Sequence, residues 1–249
     1  MKHTLFCFLF IALCLFDGCR RTTESIDTTV DTIVPVLEET ASIASDSDRG
    51  KFVVLTDSIP DLILEMRYYS SFNFVGTRID GYEAPVALAT KECAAALAKA
   101  SEKAMGYGYR LKIYDAYRPQ MAVDHFLRWG KEVNDTLTKR YFYPQLSKAS
   151  VFRLGYVATK SSHSRGSTID LTLFDMATGH DVDMGCPFDW FGSEAAFESN
   201  RVTATQHRSR QLLRTIMTES GFEPIAGEWW HFTLSHEPYP DTYFTFPVK

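Results

Sequence analysis

The sequence lacks two features that would tie it to nucleic acid or to a membrane span. No basic tract stands out among its 26 Lys and Arg residues, and 31 Asp and Glu residues outnumber them to give a net charge of -5 at pH 7. Phosphate binding needs clustered cationic side chains, so we predict no nucleic-acid partner. No apolar run approaches the ~20 residues that a membrane-spanning helix needs.

Cysteine is scarce as well. The chain has 5 cysteines, and only Cys93 and Cys186 follow Cys19. Two separated cysteines do not make the disulfide framework of a small secreted domain. We predict two buried thiols, with a single disulfide between them as the alternative.

Several catalytic motifs are also missing. The sequence has no Gly-x-Ser-x-Gly, no Ser-x-x-Lys, no His-Glu-x-x-His, no Cys-x-x-Cys and no phosphate-binding glycine loop. These absences remove the best support for a serine nucleophile, for a zincin metallopeptidase and for a nucleotide-binding protein.

The N-terminus does carry a targeting signal. Lys2 precedes an apolar run at residues 5–16, and Gly18 precedes Cys19. A positive start with a short apolar core is typical of a secretory signal peptide, and a small residue before Cys resembles a bacterial lipoprotein cleavage site. We predict a signal peptide at 1–18 and lipidation at Cys19. The protein would then lie in the cell envelope or periplasm, with the lipid as its only membrane contact. An ordinary signal peptide with a chance cysteine is the alternative.

Residues 19–48 are predicted to be a flexible tether. They are rich in Thr, Ser, Asp and Glu and contain no aromatic residue. Such a segment buries too little apolar surface to offset the entropy of ordering it. A poorly ordered pro-segment is the alternative.

From Phe52 onward the composition becomes globular, and we predict one domain over 49–249. Hydrophobic periodicity, helix-forming composition and Gly or Pro boundaries indicate elements of both kinds. Helices are predicted at about 90–105, 119–133 and 203–220, and strands at 51–55, 110–114, 168–173 and 229–234. These elements do not alternate regularly, so the predicted fold class is α+β.

Two short segments supply candidate metal ligands. The first contains His163 and Asp170, and the second contains Glu228 and His231. Catalytic zinc takes three protein ligands from His, Asp or Glu and keeps one position open. His163, Asp170 and His231 would fill the three positions, and Gly166 would let the chain double back between the first two. The alternative is a surface loop, with Glu228 paired to an arginine.

Glu228 could then act as a general base, on one geometric condition. Residues three apart on a regular strand point to opposite faces, so Glu228 must lie in the turn before the strand to approach His231. Arg118 is a further candidate, because its forked donors suit an oxyanion or a carboxylate. A salt-bridged arginine that ties a loop to the next helix is the alternative for Arg118.

The pattern Ser-x-His-x-x-Gly-x-x-x-Asp at 161–170, followed by Glu-x-x-His at 228–231, resembles the zinc D,D-peptidases related to Hedgehog domains. The longer stretches 155–173, 228–231 and 237–240 resemble D-alanyl-D-alanine dipeptidases of the VanX type, and the match runs from about residue 52 to 249. The resemblance implies a single domain with a mainly antiparallel central sheet flanked by helices.

The resemblance also implies roles for individual residues. One zinc ion per chain would be held by His163, Asp170 and His231, with Glu228 as catalytic base and Arg118 stabilising the tetrahedral intermediate. The implied substrate-binding residues are Ser161, Asp189, Tyr68 and Tyr82. For the two tyrosines, simple core packing is the alternative.

The implied activity is hydrolysis of the small dipeptide D-alanyl-D-alanine to two D-alanines. Two other functions remain open from the sequence. One is a zinc D,D-carboxypeptidase that trims peptidoglycan stem peptides, and the other is a zinc-bound wall-interaction domain without catalysis. The sequence carries no prediction of oligomeric state.

Overall fold

The four predicted strands and three predicted helices are present among the described residues, together with six strands and three α-helices that were not predicted. A computed structural model describes residues 43–44 and 46–249. In this part of the chain the strands are β1 (Ile43–Ala44), β2 (Phe52–Val54), β3 (Ile63–Leu64), β4 (Leu88–Thr90), β5 (Tyr109–Asp115), β6 (Thr168–Asp175), β7 (His180–Asp181), β8 (Phe222–Pro224), β9 (His231–Leu234) and β10 (Tyr243–Phe244). The α-helices are α1 (Leu55–Ser58), α2 (Lys91–Gly106), α3 (Gln120–Lys131), α4 (Lys139–Phe142), α5 (Lys148–Arg153) and α6 (Ala204–Thr218). Short 3-10 helices cover Asp46–Lys51, Ser162–Arg165 and Ser193–Ala195.

A six-stranded sheet forms the centre of the fold. Its strands follow the order β3-β5-β6-β9-β8, and β7 pairs with the end of β6. β3 and β5 are parallel, whereas the other pairs in this sheet are antiparallel. The predicted α+β fold with a mainly antiparallel sheet is therefore confirmed, with one parallel pair at its edge. Two small sheets, β1-β10 and β2-β4, lie outside it.

The inner strands of the sheet are covered by other parts of the chain. Residues 168–173 of β6 are all buried, so this strand is covered on both faces. Helix α2 packs against β5 with a face of small and apolar residues at helical spacing. The buried residues of this face are Cys93, Ala94, Ala96, Leu97, Ala100, Ser101 and Ala104. Thr90 caps the helix, since its side chain accepts a hydrogen bond from the backbone N–H of Cys93.

Helix α6 holds the loop that follows β7. Its N-terminus is closed by a capping box between Thr203 and Gln206. Arg210 in this helix is buried and donates to the backbone carbonyls of Met184, Glu194 and Ala196 at 2.7–2.8 Å. Because these carbonyls belong to the segment between β7 and α6, one buried guanidinium ties that segment to the helix.

Three details differ from the predictions. The last predicted strand begins at His231 rather than at 229, because the two tryptophans before it lie in a turn. Pro119 is the N-cap of α3 rather than part of its first turn. Both thiols are free, as predicted, but Cys186 is only partly buried whereas Cys93 is fully buried.

The described structure begins before the predicted domain start at residue 49, with β1 and the first 3-10 helix. The predicted signal peptide at 1–18, Cys19 and most of the predicted tether at 19–48 lie outside the described residues. The described residues all belong to one compact unit. Among them, no helix has the length and apolar character needed to cross a bilayer.

Candidate active site

Sheet register brings the candidate ligands together. Asp170 on β6 lies directly opposite His231 on the neighbouring strand β9. His163 lies in the 3-10 helix that precedes β6, and Gly166 ends that helix in the left-handed conformation with φ 81°. A Cβ atom at Gly166 would lie 2.3 Å from the ring of Phe52, so glycine is needed at this reversal for space as well as for φ.

The three side chains face a common point. Nε2 of His163 lies 3.1 Å from Oδ2 of Asp170, and Nδ1 of His231 lies 3.1 Å from Oδ1 of the same carboxylate. The two imidazole nitrogens are 3.3 Å apart. All three residues are buried, and their ligand atoms lie within 4.8 Å of one another. This arrangement is that of a candidate metal centre with three protein ligands.

The surrounding hydrogen bonds fit a bound cation. Nδ1 of His163 lies 2.8 Å from the backbone carbonyl of Ala116, which assigns the ring proton to Nδ1 and leaves the lone pair on Nε2. Ser162 contacts the outer nitrogen of His231 at 3.3 Å. Oδ1 of Asp170 is buried and has Nδ1 of His231 at 3.1 Å without the geometry of a hydrogen bond, which is costly for a carboxylate oxygen unless a cation compensates it.

The charge states of two ligands also suit a metal. Burial alone would raise the pKa of Asp170, but His163 and His231 hold that pKa below its usual range. Burial lowers the pKa of His163. A carboxylate anion and a neutral imidazole are the forms that bind metal ions.

Glu228 meets the geometric condition that the sequence imposed on it. It lies in the turn before β9, and its Oε2 is 3.6 Å from Nδ1 of His231. It lines the same cavity as the ligands without belonging to the three-residue cluster. Burial, and to a lesser extent the charge of Asp170, raises the pKa of Glu228 to about 7. A carboxyl group with such a pKa is suited to accept and return a proton near neutral pH.

Arg118 combines the two interpretations that the sequence left open. Its Nε donates to Oδ2 of Asp115 at 2.8 Å, so it is salt-bridged. Its two terminal nitrogens also reach the cavity, with contacts of 3.5 Å to Oγ of Ser161 and 3.5 Å to Oδ2 of Asp170. The guanidinium carbon lies 5.0 Å from the ring centre of Tyr68, so the charged group lies over the face of this ring.

Asp189 and Tyr68 form another part of the cavity wall. The Tyr68 hydroxyl donates to Oδ2 of Asp189 at 3.0 Å, and both residues are buried. Asp189 has φ 61°, which is uncommon for a residue other than glycine. Burial, and next the charge of Asp170, raises the pKa of Asp189 well above its usual range. A cationic group of a ligand would compensate this carboxylate.

The structure does not bring Tyr82 to the cavity. Tyr82 is buried, is absent from the cavity wall, and donates its hydroxyl to Oδ1 of Asp115 at 2.6 Å. The hydroxyl therefore faces the carboxylate behind Arg118. Ser161, Tyr68 and Asp189 do line the cavity, as the resemblance implies.

The cavity itself is small, about 260 Å³. This volume is below the 300–1,000 Å³ of sites for drug-sized ligands. Sequence reasoning missed several residues of its wall, including Tyr156, Lys160, Phe191 and Trp230. Only their closeness to the motifs in the sequence could have indicated them. Residues 156 and 160 lie just before Ser161, and residue 230 lies between Glu228 and His231.

Two imidazoles and a carboxylate in one cluster, with a further carboxyl group and a guanidinium around the same small cavity, are typical of a metal-dependent hydrolase. A family model described as D-ala-D-ala dipeptidase matches residues 48–249. The chain belongs to this peptidase family.

Individual relatives agree with the family match. The chain is 42% identical over 198 residues to a D-alanyl-D-alanine dipeptidase of Enterococcus faecium and 43% identical over 198 residues to one of Enterococcus faecalis. It is 41% identical over 199 residues to one of Streptomyces coelicolor. Each alignment covers 80% of this chain and 98% of the relative. The resemblance drawn from the motifs is thus confirmed.

Proposed function

We propose that this protein is a zinc dipeptidase that hydrolyses D-alanyl-D-alanine to two D-alanines. The proposal rests on the cluster of His163, Asp170 and His231, with Glu228 beside the cluster but not part of it. Two imidazoles with one carboxylate and an open position form a common catalytic zinc set, so one Zn²⁺ per chain is the proposed cofactor. Family membership and the names of the relatives supply the substrate.

The residues of the chain divide the chemistry among them. Zinc, when bound, supplies Lewis-acid polarisation of the peptide carbonyl and makes water more acidic. Glu228 takes the proton of the attacking water and returns it to the leaving amine. Arg118 presents its terminal nitrogens to the cavity and donates to the oxyanion that develops on the carbonyl.

The charge pattern supports a free dipeptide as substrate. D-alanyl-D-alanine carries an ammonium group at one end, and the buried Asp189 with the Tyr68 hydroxyl offers it an anionic partner. Ser161 lies between Arg118 and His163 and can hydrogen-bond the substrate backbone. A longer stem peptide has no ammonium group at this place. These features favour a dipeptidase over a carboxypeptidase.

The test is release of free D-alanine by the purified full chain with zinc. D-alanyl-D-alanine is compared with L-alanyl-L-alanine and with a pentapeptide that ends in D-alanyl-D-alanine. Cleavage of the free D,D-dipeptide alone is expected. Cleavage of the pentapeptide would move the protein to the D,D-carboxypeptidases. Zinc binding without cleavage of any substrate would leave a wall-interaction domain as the function.

We also propose that the protein is exported and held at the cell envelope through a lipid on Cys19. The support is sequence alone, namely the short apolar run at 5–16 and the Gly18–Cys19 pair. Labelling with a radioactive fatty acid tests it. The label should appear in the wild type and in Cys14→Ala but not in Cys19→Ala, whose protein should leave the membrane fraction. Labelling of Cys19→Ala would refute the anchor.

A further inference from the structure

A buried carboxylate lies behind the catalytic groups without touching the cavity. Asp115 ends β5, its side chain is fully buried, and it does not line the cavity. The pairing of β5 with β6 shifts register between Ile113 and Asp115, so that Asp115 lies opposite Asp170. Such irregularities re-aim a side chain next to a site. The shift places a second carboxylate beside the metal-ligand cluster.

Each oxygen of Asp115 has a distinct partner. Oδ1 accepts the Tyr82 hydroxyl at 2.6 Å. Oδ2 accepts Nε of Arg118 at 2.8 Å and lies 3.6 Å from Nδ1 of His163. One carboxylate therefore hydrogen-bonds the candidate oxyanion donor and lies near the outer nitrogen of a candidate metal ligand, whose own hydrogen-bond partner is the Ala116 carbonyl. The Tyr82 hydroxyl holds the other carboxylate oxygen.

The contact with Nε determines which way the guanidinium points. The donors of arginine form a rigid planar fork, so holding Nε fixes the directions of the other two nitrogens. Those nitrogens face Ser161 and Asp170 at 3.5 Å. Released from Asp115, the long Arg118 side chain would regain the rotamer freedom that its ordering had cost.

We propose that Asp115 and Tyr82 form a positioning pair, which aims Arg118 at the reacting carbonyl and adds negative charge behind His163 that strengthens metal binding. The proposal rests on the proposed function for its effect on turnover. Its effect on metal affinity stands independently of any substrate. It also gives Tyr82, which the resemblance implied to be a substrate-binding residue, a role through Asp115.

The test uses the isosteric variants Asp115→Asn and Tyr82→Phe in the full chain. Zinc affinity is measured by competition with a chromophoric chelator, and kcat and KM are measured with D-alanyl-D-alanine. Mutation of the residues behind metal ligands typically lowers metal affinity or activity about 10–100-fold. We therefore expect the zinc affinity and kcat of Asp115→Asn to fall by ~10-fold or more, with KM nearly unchanged. Tyr82→Phe should also lower zinc affinity and kcat, but by a smaller factor.

Matched controls come from a contact outside the cavity wall. Asp181→Asn and Tyr114→Phe alter a carboxylate and a hydroxyl that contact each other at 3.4 Å outside the cavity wall, and they should change neither quantity. Thermal melts identify any variant that fails to fold. In that event Tyr82→Phe carries the test, because it removes one hydroxyl and leaves the carboxylate in place.

A double-mutant cycle separates positioning from general damage. If Asp115 acts on turnover through Arg118, adding Asp115→Asn to Arg118→Ala should lower kcat little further. Additive losses, or unchanged zinc affinity and kcat in Asp115→Asn, would overturn the proposal. If the wild type does not cleave the dipeptide, the proposed function fails. In that case the zinc affinity of Asp115→Asn is the only test of the positioning pair. A ~10-fold loss of zinc affinity supports the pair, and an unchanged affinity refutes it.

Discussion

We name two parts of the cavity wall after the ligands proposed for them: the metal end is His163, Asp170 and His231, and the ammonium end is Asp189 and Tyr68. The two parts are built in different ways. Asp170 and His231 are register partners on adjacent strands, and their spacing follows from the backbone pairing of the sheet. Asp189 and Tyr68 lie on loops 121 residues apart in the chain and meet through one hydroxyl–carboxylate contact. Two of the three candidate metal ligands thus lie on paired strands, which fix their spacing, whereas the pair proposed to bind the substrate ammonium group lies on loops.

The two ends also differ in charge balance. Around Asp170, two imidazoles and a guanidinium surround one carboxylate. Asp189 has only the Tyr68 hydroxyl within hydrogen-bond reach among the described residues, and burial raises its pKa well above the usual range. An uncompensated buried acid gains most from an arriving cation. We therefore expect the metal end to act in catalysis and the ammonium end in substrate selectivity, and each of the following variants tests one of these two expectations.

The largest effect is expected at the metal end. His231→Ala should abolish zinc retention and D-alanine release together, because it removes one of three ligands. Zinc content after dialysis and a fixed-time assay of D-alanine measure this. His180→Ala, at an exposed position on β7, is the control and should retain both. Retained zinc with full turnover in His231→Ala would refute the ligand assignment.

Glu228→Gln should retain zinc and lose kcat by about 10²–10⁴-fold, the usual contribution of a general base. The amide preserves the shape of the side chain but cannot accept the proton. Glu223→Gln on β8, which alters an exposed carboxylate, is the matched control. Normal kcat in Glu228→Gln would remove this residue from the mechanism.

At the ammonium end the expected change is in KM. Asp189→Asn should raise KM by ~100-fold, because truncating one member of a buried charge pair costs 2–5 kcal/mol. N-acetyl-D-alanyl-D-alanine, which lacks the ammonium group, should be a poor substrate of the wild type. The variant should discriminate less between the acetylated and free dipeptides. A loss confined to kcat would contradict the assignment of this end to recognition.

The smallest effect is expected for Tyr68→Phe. It removes one hydrogen bond to Asp189, and such bonds to a charged group contribute about 1.5–3 kcal/mol. KM should therefore rise by ~10-fold, with zinc content unchanged. Tyr114→Phe is again the control. A loss of zinc in Tyr68→Phe would show that the two ends are not independent.

Much of the site was predictable because the motifs are local. The spacing from His163 to Asp170 includes the glycine that permits the chain reversal, and the spacing from Glu228 to His231 implies a turn before a strand. Helix α2 and strands β5 and β6 follow composition and alternation closely enough to be found from the sequence. The resemblance supplied Asp189 and Tyr68, which no spacing argument could link.

Other features followed from contacts that no local pattern contains. Tyr82 and Asp115 are 33 residues apart, and nothing in either segment predicts that the hydroxyl of one meets the carboxylate of the other. The parallel pairing of β3 with β5 and the register shift before Asp115 depend on which strands become neighbours.

The sequence by itself determined the candidate ligand residues, the candidate base and the order of the main elements, because periodicity, turn residues and short motif spacings act over a few residues. Only the tertiary structure decided that Asp115 holds Arg118 from outside the cavity, and which partners face the oxygens of the three buried carboxylates. Asp115, Asp170 and Asp189 are the same side chain, and all three are buried. Their differences arise from the partners that distant segments bring within 2.6–3.6 Å of each carboxylate.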